Sequence, residues 1–221
     1  MKTIIKCYSE NTRGEDVCPS LDVKNEILKT IKNNLSFLTK QGLTEFLFII
    51  TGSSDPLQEQ LGRAESFDVI IDFYSVEPFI SNTEILLQLR EEGYLYGNFL
   101  FTTSNHMTEI NYNQFINFHV KNRALVSLLA SHESKRDSIG IIAVDAKKKV
   151  IDWNIDEGDE GEGLNTKCVE GFYLINAVIL DFCIDNKDDA AADNQKKRDL
   201  EINLLKPLAG SGLMYCYDEG V

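Results

Sequence analysis

The sequence predicts a single α/β domain, residues 1–221, in which helices flank a mixed, mostly parallel sheet. Short apolar runs alternate with segments of helical periodicity along most of the chain, and this alternation is typical of parallel sheets with helices on both faces. The apolar runs are continuous, as expected for strands buried on both sides. A chain of 221 residues, 43% of them hydrophobic, also suffices for one sizeable core.

The first half of the chain is predicted to alternate strands with helices. Apolar residues recur at helical spacing from Val23 to Leu38, and Gly42 follows as a C-terminal stop. Ser81-Asn82-Thr83-Glu84 has the spacing of a capping box, so a helix begins there. Pro56 after Ser54-Asp55 indicates a short helix to about residue 64. The predicted strands are Met1–Ile5, Glu45–Ile50, Phe67–Tyr74, Asn98–Thr103 and Ala124–Ala130, and Asn111–Arg123 is the remaining helix.

The second half is predicted to be richer in hairpins and loops. Two apolar runs flank the turn Asp145–Lys148 and indicate a β-hairpin. The long apolar run Phe172–Phe182 predicts a strand, and helical periodicity returns over Asp199–Leu208. A last strand is expected over Leu213–Tyr217.

Charge and cysteine content exclude several classes of function. The net charge of −13 disfavours nucleic acids and anionic membrane surfaces, since both would be repelled. The five cysteines are widely spaced and contain no C-x-x-C pair, so neither a disulfide framework nor a zinc site is expected. With no apolar stretch of transmembrane length, these features predict a cytoplasmic protein.

The loop after the first strand reads Cys7-Tyr8-Ser9-Glu10-Asn11-Thr12-Arg13. Folds of this class usually place phosphate groups here, because backbone N–H groups and a helix dipole converge at this point. Ser9 and Asn11 carry side chains where close backbone approach needs glycine, and Glu10 would repel a triphosphate. Arg13 is either a phosphate ligand or a surface arginine paired with nearby carboxylates.

Short motifs along the chain follow the order found in the sugar-1-phosphate nucleotidyltransferases, also called NDP-sugar pyrophosphorylases. Asn11-Thr12-Arg13 stands where that family has G-T-R, Pro19 where it has the second proline of P-K-P, and Glu77-Pro78 where it has E-P-L-G-T-A-G. Further matches are Asn98–Met107 with the strand ending in N-G-D, Asn117-Phe118-His119 with a helix containing F-H, Gly140 with Y-G, Asn176-Ala177 with N-A-G, and Asp199-Leu200-Glu201 before the last helix. The chain therefore resembles this family over nearly its whole length.

The resemblance implies a Rossmann-like fold of the nucleotide-diphospho-sugar transferase type and a site for two substrates. The family joins a nucleoside triphosphate and a sugar-1-phosphate with the help of Mg²⁺, giving an NDP-sugar and pyrophosphate. Carried over by motif, the implied residues are Arg13 as the catalytic phosphate contact, Ser9, Asn11, Ser81, Gly140 and Asn176 as substrate-binding residues, and Asn105 and Asp218 as the magnesium positions.

The same motifs depart from the family where phosphate charge is handled. The glycines of the first loop are replaced by Tyr8, Ser9 and Asn11, and the lysine between the two prolines by Cys18. The aspartate of N-G-D becomes Asn105, whose neutral amide coordinates Mg²⁺ poorly. Phosphoryl transfer depends almost wholly on positioning and charge neutralisation, so these losses together predict a degenerate active site.

Two functions are compatible with this pattern. The favoured hypothesis is a nucleotidyltransferase-like domain that is catalytically impaired and acts as a binding or regulatory protein. The alternative is an active, Mg²⁺-dependent sugar-1-phosphate nucleotidyltransferase. The expected ligands are a nucleoside triphosphate or a sugar phosphate, and the sequence leaves open whether the chain assembles with itself or with another subunit.

Overall fold

The computed structural model describes residues 1–7, 21–51, 69–77, 80–103, 110–131, 139–153, 165–185 and 200–218. Within these ranges nine strands belong to one mixed, mostly parallel sheet, accompanied by helices. The predicted fold class is therefore confirmed. The chain divides into two compact units, Met1–Phe79 with Leu100–Tyr112 and Ile80–Phe99 with Asn113–Val221.

The first unit is built on parallel strands. They pair in the order β3–β2–β1–β4, with Lys2 of β1 beside Glu45 of β2 and Thr3 beside Leu100 of β4. Ile4 and Ile5 are fully buried, as expected for a strand with neighbours on both sides. The strands are β1 (Lys2–Lys6), β2 (Glu45–Thr51), β3 (Ile70–Val76) and β4 (Asn98–Thr103), of which Asn98 and Phe99 belong to the second unit.

Helix α1 (Leu21–Lys40) connects β1 to β2 along the chain and confirms the helix predicted over Val23–Leu38. Its residues Ile31, Leu35 and Leu38 are buried at spacings of four and three. Gly42 ends the helix with a φ of 85°, a conformation that glycine adopts without strain. The backbone bonds from Gly42 and the residue after it return to the last turn of α1.

The second unit combines a short parallel pair with antiparallel strands. Strand β9 runs parallel to β5, whereas β8 is antiparallel to both β5 and β6, and β6 and β7 form the predicted hairpin. Its strands are β5 (Val126–Ser131), β6 (Gly140–Val144), β7 (Val150–Trp153), β8 (Asn165–Asn176) and β9 (Met214–Tyr217). Its helices are α2 (Asn82–Glu91), α3 (Tyr112–Asn122, of which Tyr112 belongs to the first unit) and α4 (Val178–Asp185), with a π-helical turn Glu201–Leu205 and a 3₁₀ turn Lys206–Leu208.

The strand predicted over Phe172–Phe182 is wrong in its bounds. Strand β8 begins earlier, at Asn165, and ends at Asn176, and helix α4 follows from Val178. Ile179 and Leu180 are buried while Val178 and Phe182 are exposed, a pattern of one buried helix face. A continuous apolar run does not distinguish a strand from a buried helix.

Other elements differ from prediction only in detail. The strand predicted over Phe67–Tyr74 is found as β3 at Ile70–Val76, and the helix predicted over Asp199–Leu208 contains the π-helical and 3₁₀ turns. The short helix predicted to end near residue 64 lies outside the described residues. No helix in the described ranges combines the length and apolar character needed to cross a bilayer.

Candidate functional site

Asp218 follows β9 directly, at the carboxyl end of the parallel pair β5–β9. The residue before it, Tyr217, is buried and packs against Phe115 and Phe118 of α3, with ring centroids 5.2 and 5.4 Å apart. Ligands of α/β sheets usually bind at the carboxyl ends of the strands. The aromatic packing therefore holds Asp218 at the carboxyl ends of two parallel strands, a position that suits a binding site.

Lys148 lies in the turn between β6 and β7. Oδ1 of Asp145 accepts hydrogen bonds from the backbone N–H groups of Lys147 and Lys149, each at 2.8 Å, which orders the turn. Lys148 has a φ of 64°, in the left-handed region that favours glycine. Its carbonyl accepts a hydrogen bond from the N–H of Cys216 at 2.8 Å, so the turn is joined to β9.

Lys167 approaches the same carboxylate from β8. It lies opposite Ile142 of β6, and its side chain is only 2% exposed. The Lys167 ammonium group donates to Oδ2 of Asp218, and the Lys148 ammonium group donates to Oδ1. Three separate segments of the chain thus meet in one ionic group, Lys148, Lys167 and Asp218, which we name the lysine cluster.

The two lysines favour the ionised form of Asp218. Burial alone would raise the pKa of its carboxyl group, but hydrogen bonds from Lys148 and Lys167, together with their charges, hold that pKa below its ordinary value. Burial, with the charge of Asp218 as a smaller cause, raises the pKa of the Cys216 thiol to about 12. Cys216 is therefore protonated at neutral pH and is not a nucleophile.

Gly140, one of the predicted substrate-binding residues, lies at the start of β6 opposite Val169 of β8. Lys167 stands two positions before Val169, and residues two apart on a strand share a face. Gly140 thus places no side chain on the sheet face from which Lys167 projects.

Asn176 ends β8 and is used within the fold. Its Nδ2 donates to Oδ1 of Asn98 at 2.8 Å, and its Oδ1 accepts a hydrogen bond from the N–H of Val178 at 3.1 Å. The second bond caps the start of α4. A substrate-binding role for Asn176 stays a prediction.

Ser81 is the N-cap of α2, as its sequence spacing predicted. Its Oγ accepts a hydrogen bond from the N–H of Glu84 at 3.2 Å, and Oε2 of Glu84 accepts from the N–H of Ser81, also at 3.2 Å. The Ser81 hydroxyl further donates to Oε2 at 2.8 Å. The capping box is confirmed, while contact between Ser81 and a substrate stays a prediction.

The remaining predicted site residues lie outside the described residues. They are the substrate-binding candidates Ser9 and Asn11, the catalytic candidate Arg13 and the magnesium candidate Asn105, and their roles stay predictions. The structure places Gly140 and Asp218 on elements that adjoin Lys167. Ser81 instead caps α2, and Asn176 lies at the end of β8, just before α4.

Lys148 and Lys167 were not among the residues that the sequence predicted for the site. Lys148 falls in a predicted turn, where a lysine is ordinary. Lys167 precedes the buried pair Cys168 and Val169, and a charged side chain in a buried strand is unusual unless it is paired. The position of Lys167 beside two buried residues could have identified it from the sequence. It was missed because the strand was predicted to begin only at residue 172.

The surroundings of Asp218 do not fit the Mg²⁺ that the resemblance implies. This ion prefers oxygen ligands in octahedral geometry, often carboxylates, whereas both oxygens of Asp218 face ammonium groups. Among the residues that the structure describes, no three His, Cys, Asp or Glu side chains are grouped as metal ligands. Assignment of Asn105 and Asp218 to magnesium stays a prediction, and the described geometry does not favour it.

Comparison with known proteins identifies relatives of this fold. The sequence model of the family described as Nucleotidyl transferase matches residues 18–209. HddC from Yersinia pseudotuberculosis has a TM-score of 0.68 at 13% identity, over 98% of this chain and 89% of its own, and its complex with GMP-PN has a TM-score of 0.66 at 12% identity. A candidate glucose-1-phosphate thymidylyltransferase from Bacillus anthracis, in complex with sucrose, has a TM-score of 0.72 at 15% identity, over 99% of this chain and 87% of its own. A search of curated proteins finds no match.

The two kinds of comparison carry different weight. The family match covers most of the chain. The solved structures have so few residues identical to this chain that their structural similarity shows the fold alone. That fold is the one predicted from the order of strands and helices.

Proposed function

This chain belongs to the nucleotidyl transferase family, and on that premise we propose that it is a catalytically impaired member of the sugar-1-phosphate type. It binds a nucleoside triphosphate or a sugar phosphate and acts as a binding or regulatory protein. We further propose that residues 1–221 work as one domain in the cytoplasm. The described cysteines Cys7, Cys168 and Cys216 are free and buried, which suits a reducing compartment.

The observation that carries this proposal is the pairing of Asp218 with two lysines. Attack of a sugar phosphate on the α-phosphate of a nucleotide develops negative charge that must be neutralised in place. Each oxygen of this carboxylate already accepts a hydrogen bond from a lysine, Lys148 or Lys167, so Mg²⁺ would compete with two ammonium groups for it. Loss of one comparable electrostatic element typically costs ~3 kcal/mol of transition-state stabilisation, on the order of a hundredfold in rate.

The sequence supports the same conclusion at positions far from Asp218. Ser9 and Asn11 stand where the family has phosphate-binding glycines, Cys18 where it has a lysine, and Asn105 where it has a magnesium aspartate. One such change could be compensated by its neighbours. Several changes affecting phosphate and metal contacts together favour a protein that has kept its ligands and lost its turnover.

A regulatory role requires a partner whose activity the ligand changes. We propose that this partner is a second copy of this chain or another subunit. The net charge of −13 disfavours a nucleic acid or an anionic membrane as the partner.

The test is pyrophosphate release from each common nucleoside triphosphate across a panel of sugar-1-phosphates, with Mg²⁺ present. We expect rates near the uncatalysed background for every pair. The variant Asp218→Asn serves as a comparison, because it shows whether any release depends on this carboxylate. Robust release that Asp218→Asn abolishes would establish the alternative, an active Mg²⁺-dependent enzyme.

A further inference from the structure

Helices α2 and α4, both in the second unit, meet at a surface that exposes large apolar side chains. Tyr96, between α2 and β4, is 72% exposed, and Phe182 and Val178 of α4 are 62% and 42% exposed. Val178 and Phe182 are four residues apart in the helix and therefore share a face. Single exposed apolar residues are ordinary, whereas adjoining ones mark a binding surface. We name Tyr96, Val178 and Phe182, together with Arg90 and Asp181, the aromatic patch.

Arg90 and Asp181 join the two sides of the aromatic patch. Nε and Nη2 of Arg90 donate to Oδ1 and Oδ2 of Asp181 at 2.9 and 3.0 Å. The guanidinium carbon of Arg90 lies 5.8 Å from the ring centroid of Tyr96. Because Asp181 directly precedes Phe182, the ion pair stands between Tyr96 and the exposed face of α4. The patch is therefore one continuous surface, fixed by a bidentate ion pair.

The central charges of the aromatic patch are balanced within it. Arg90 and Asp181 neutralise each other, and the remaining guanidinium nitrogen, Nη1 of Arg90, donates to the carbonyl of Leu95 at 2.7 Å. The patch thus offers a partner apolar and aromatic surface rather than charge. Two acidic chains, each with a net charge of −13, approach most easily where the facing charges are balanced. The occupant that this chemistry fits is a second copy of the same surface.

The exposed area of the aromatic patch suits the centre of a contact between two copies. A buried tyrosine or phenylalanine contributes about 150–250 Å² each, so the exposed parts of Tyr96, Phe182 and Val178 offer roughly 250–400 Å² per copy. Apolar area makes up about 60% of a protein interface. Two such patches then correspond to an interface of roughly 1,000 Å² in total, near the lower limit for a specific complex. This area predicts a dimer that dissociates on dilution.

We propose that the aromatic patch is the interface of a homodimer with two-fold symmetry. The proposal names the partner of the regulatory role, and it rests on the proposed function for that role alone. A two-fold axis beside the Arg90–Asp181 pair places Tyr96 of one copy against Phe182 of the other, and the reverse contact forms at the same time. Both exposed rings of each copy are then buried. Tyrosine, phenylalanine and arginine are the residues enriched at the centres of interfaces.

Sedimentation velocity of the full chain measures the dimer directly. From submicromolar to several hundred micromolar protein, the sedimentation coefficient should rise from the value of a monomer toward that of a dimer. A chain that stays monomeric at every concentration overturns the proposal and indicates that a different protein occupies the patch.

The salt dependence separates an apolar contact from one made by ion pairs. Glu91 and Glu92 are exposed at the end of α2, beside Arg90, and the whole chain is acidic. Since salt screens the repulsion between like charges, added NaCl should strengthen the dimer. A dimer that NaCl dissociates would be held by ion pairs, which overturns the proposed interface.

Two matched variants locate the contact. Phe182→Glu places a charge in the aromatic patch, and Val120→Glu places the same charge outside it, on α3, where Val120 is 58% exposed. We expect Phe182→Glu to raise the dissociation constant of the dimer by about tenfold or more, as for a residue at the centre of an interface. Val120→Glu should change it by less than about twofold. Equal effects of the two variants, each shown to be folded by thermal unfolding, overturn the proposal.

A mixture of two variants tests the two-fold arrangement. Tyr96→Lys and Phe182→Glu should each be impaired alone, because each damages both ring contacts of its own dimer. In a mixed dimer, one contact brings the two introduced opposite charges together and the other keeps both original rings. The mixture should therefore associate more tightly than either variant by itself. Absence of this recovery contradicts the contact between Tyr96 and Phe182.

Oligomeric state and enzymatic activity are measured independently. A dimer that depends on Tyr96 and Phe182 supports this inference even if the pyrophosphate assay shows turnover. A chain that remains monomeric refutes the inference even if the protein is inactive.

Discussion

His119 is a histidine that the fold holds in its neutral form. It lies in α3 with 1% of its surface exposed, and its Nδ1 is 2.9 Å from Oγ of Ser127 on β5. Among the described residues its Nε2 has no hydrogen-bond partner. Burial lowers the pKa of His119 to about 4, because a charged imidazole would lose its hydration there.

The depressed pKa of His119 predicts a loss of stability in mild acid. The unfolded chain binds the proton near pH 6.5 and the folded chain only near pH 4, so acid favours unfolding in that window. The free energy of unfolding should fall by up to about 3 kcal/mol from this residue alone. Denaturant unfolding between pH 7.5 and pH 4 measures the slope, and His119→Gln should flatten it. Equal slopes for the two proteins would show that His119 titrates normally.

Arg123 and Lys148 share a backbone conformation that side chains disfavour. Their φ angles are 50° and 64°, and in each case glycine would remove the steric conflict of Cβ with the backbone. The two residues differ in what the side chain does. Lys148 is paired with Asp218, whereas Arg123 is exposed at the end of α3.

Arg123→Gly and Lys148→Gly form a matched pair of stability variants. Arg123→Gly should raise the free energy of unfolding by ~0.5–1 kcal/mol, because relief of strain outweighs the added entropy of the unfolded chain. Lys148→Gly gains the same relief but loses an ion pair, so its stability should lie below that of Arg123→Gly. Urea unfolding of both variants measures the difference. Equal stabilisation would show that the Lys148 ion pair contributes nothing to folding.

At the scale of elements, the boundary between β8 and α4 decides which apolar side chains enter the core. In a strand, Leu180 and Phe182 would lie on the same face, since residues two apart share it. In the helix they separate, with Leu180 fully buried and Phe182 62% exposed. Asn176 stands at this boundary, where its Oδ1 accepts a hydrogen bond from the N–H of Val178, the first residue of α4.

Alanine substitutions at Leu180 and Phe182 test this boundary. Leu180→Ala should lower the free energy of unfolding by about 2–5 kcal/mol, as for other buried leucines. Phe182→Ala should change it by less than about 1 kcal/mol, as for surface positions. Thermal or urea unfolding gives both values. Similar large losses at the two positions would favour the continuous strand that the sequence predicted.

At the scale of the whole molecule, the fold is shared with proteins whose sequences have diverged far. Identities of 13% and 15% accompany coverage of 98% and 99% of this chain. A core needs apolar side chains of suitable size at its positions and tolerates many combinations. A site for phosphoryl transfer needs particular charges at particular points. The fold can therefore persist after its reaction is lost.

The sequence by itself determined the features that depend on neighbouring residues. The helix α1, the strands β1, β2 and β4 and the capping box of α2 all rest on short-range periodicity, on Gly42 or on the spacing of Ser81 and Glu84. Their alternation also predicted the mostly parallel sheet, since parallel neighbours need a long crossover connection, which is usually a helix. The order of the motifs identified the family, because the motifs follow one another as in the family even where single residues within them are substituted.

Only the tertiary structure decided what surrounds Asp218. Lys148 and Lys167 reach its carboxylate because the β6–β7 turn bridges to β9 through Lys149 and Tyr215 and because β8 and β9 flank the same strand, β5. No local pattern encodes a pairing across 51 or 70 residues. The end of β8 was decided in the same way. An apolar run fits a strand and a buried helix equally well until packing shows which side chains are covered.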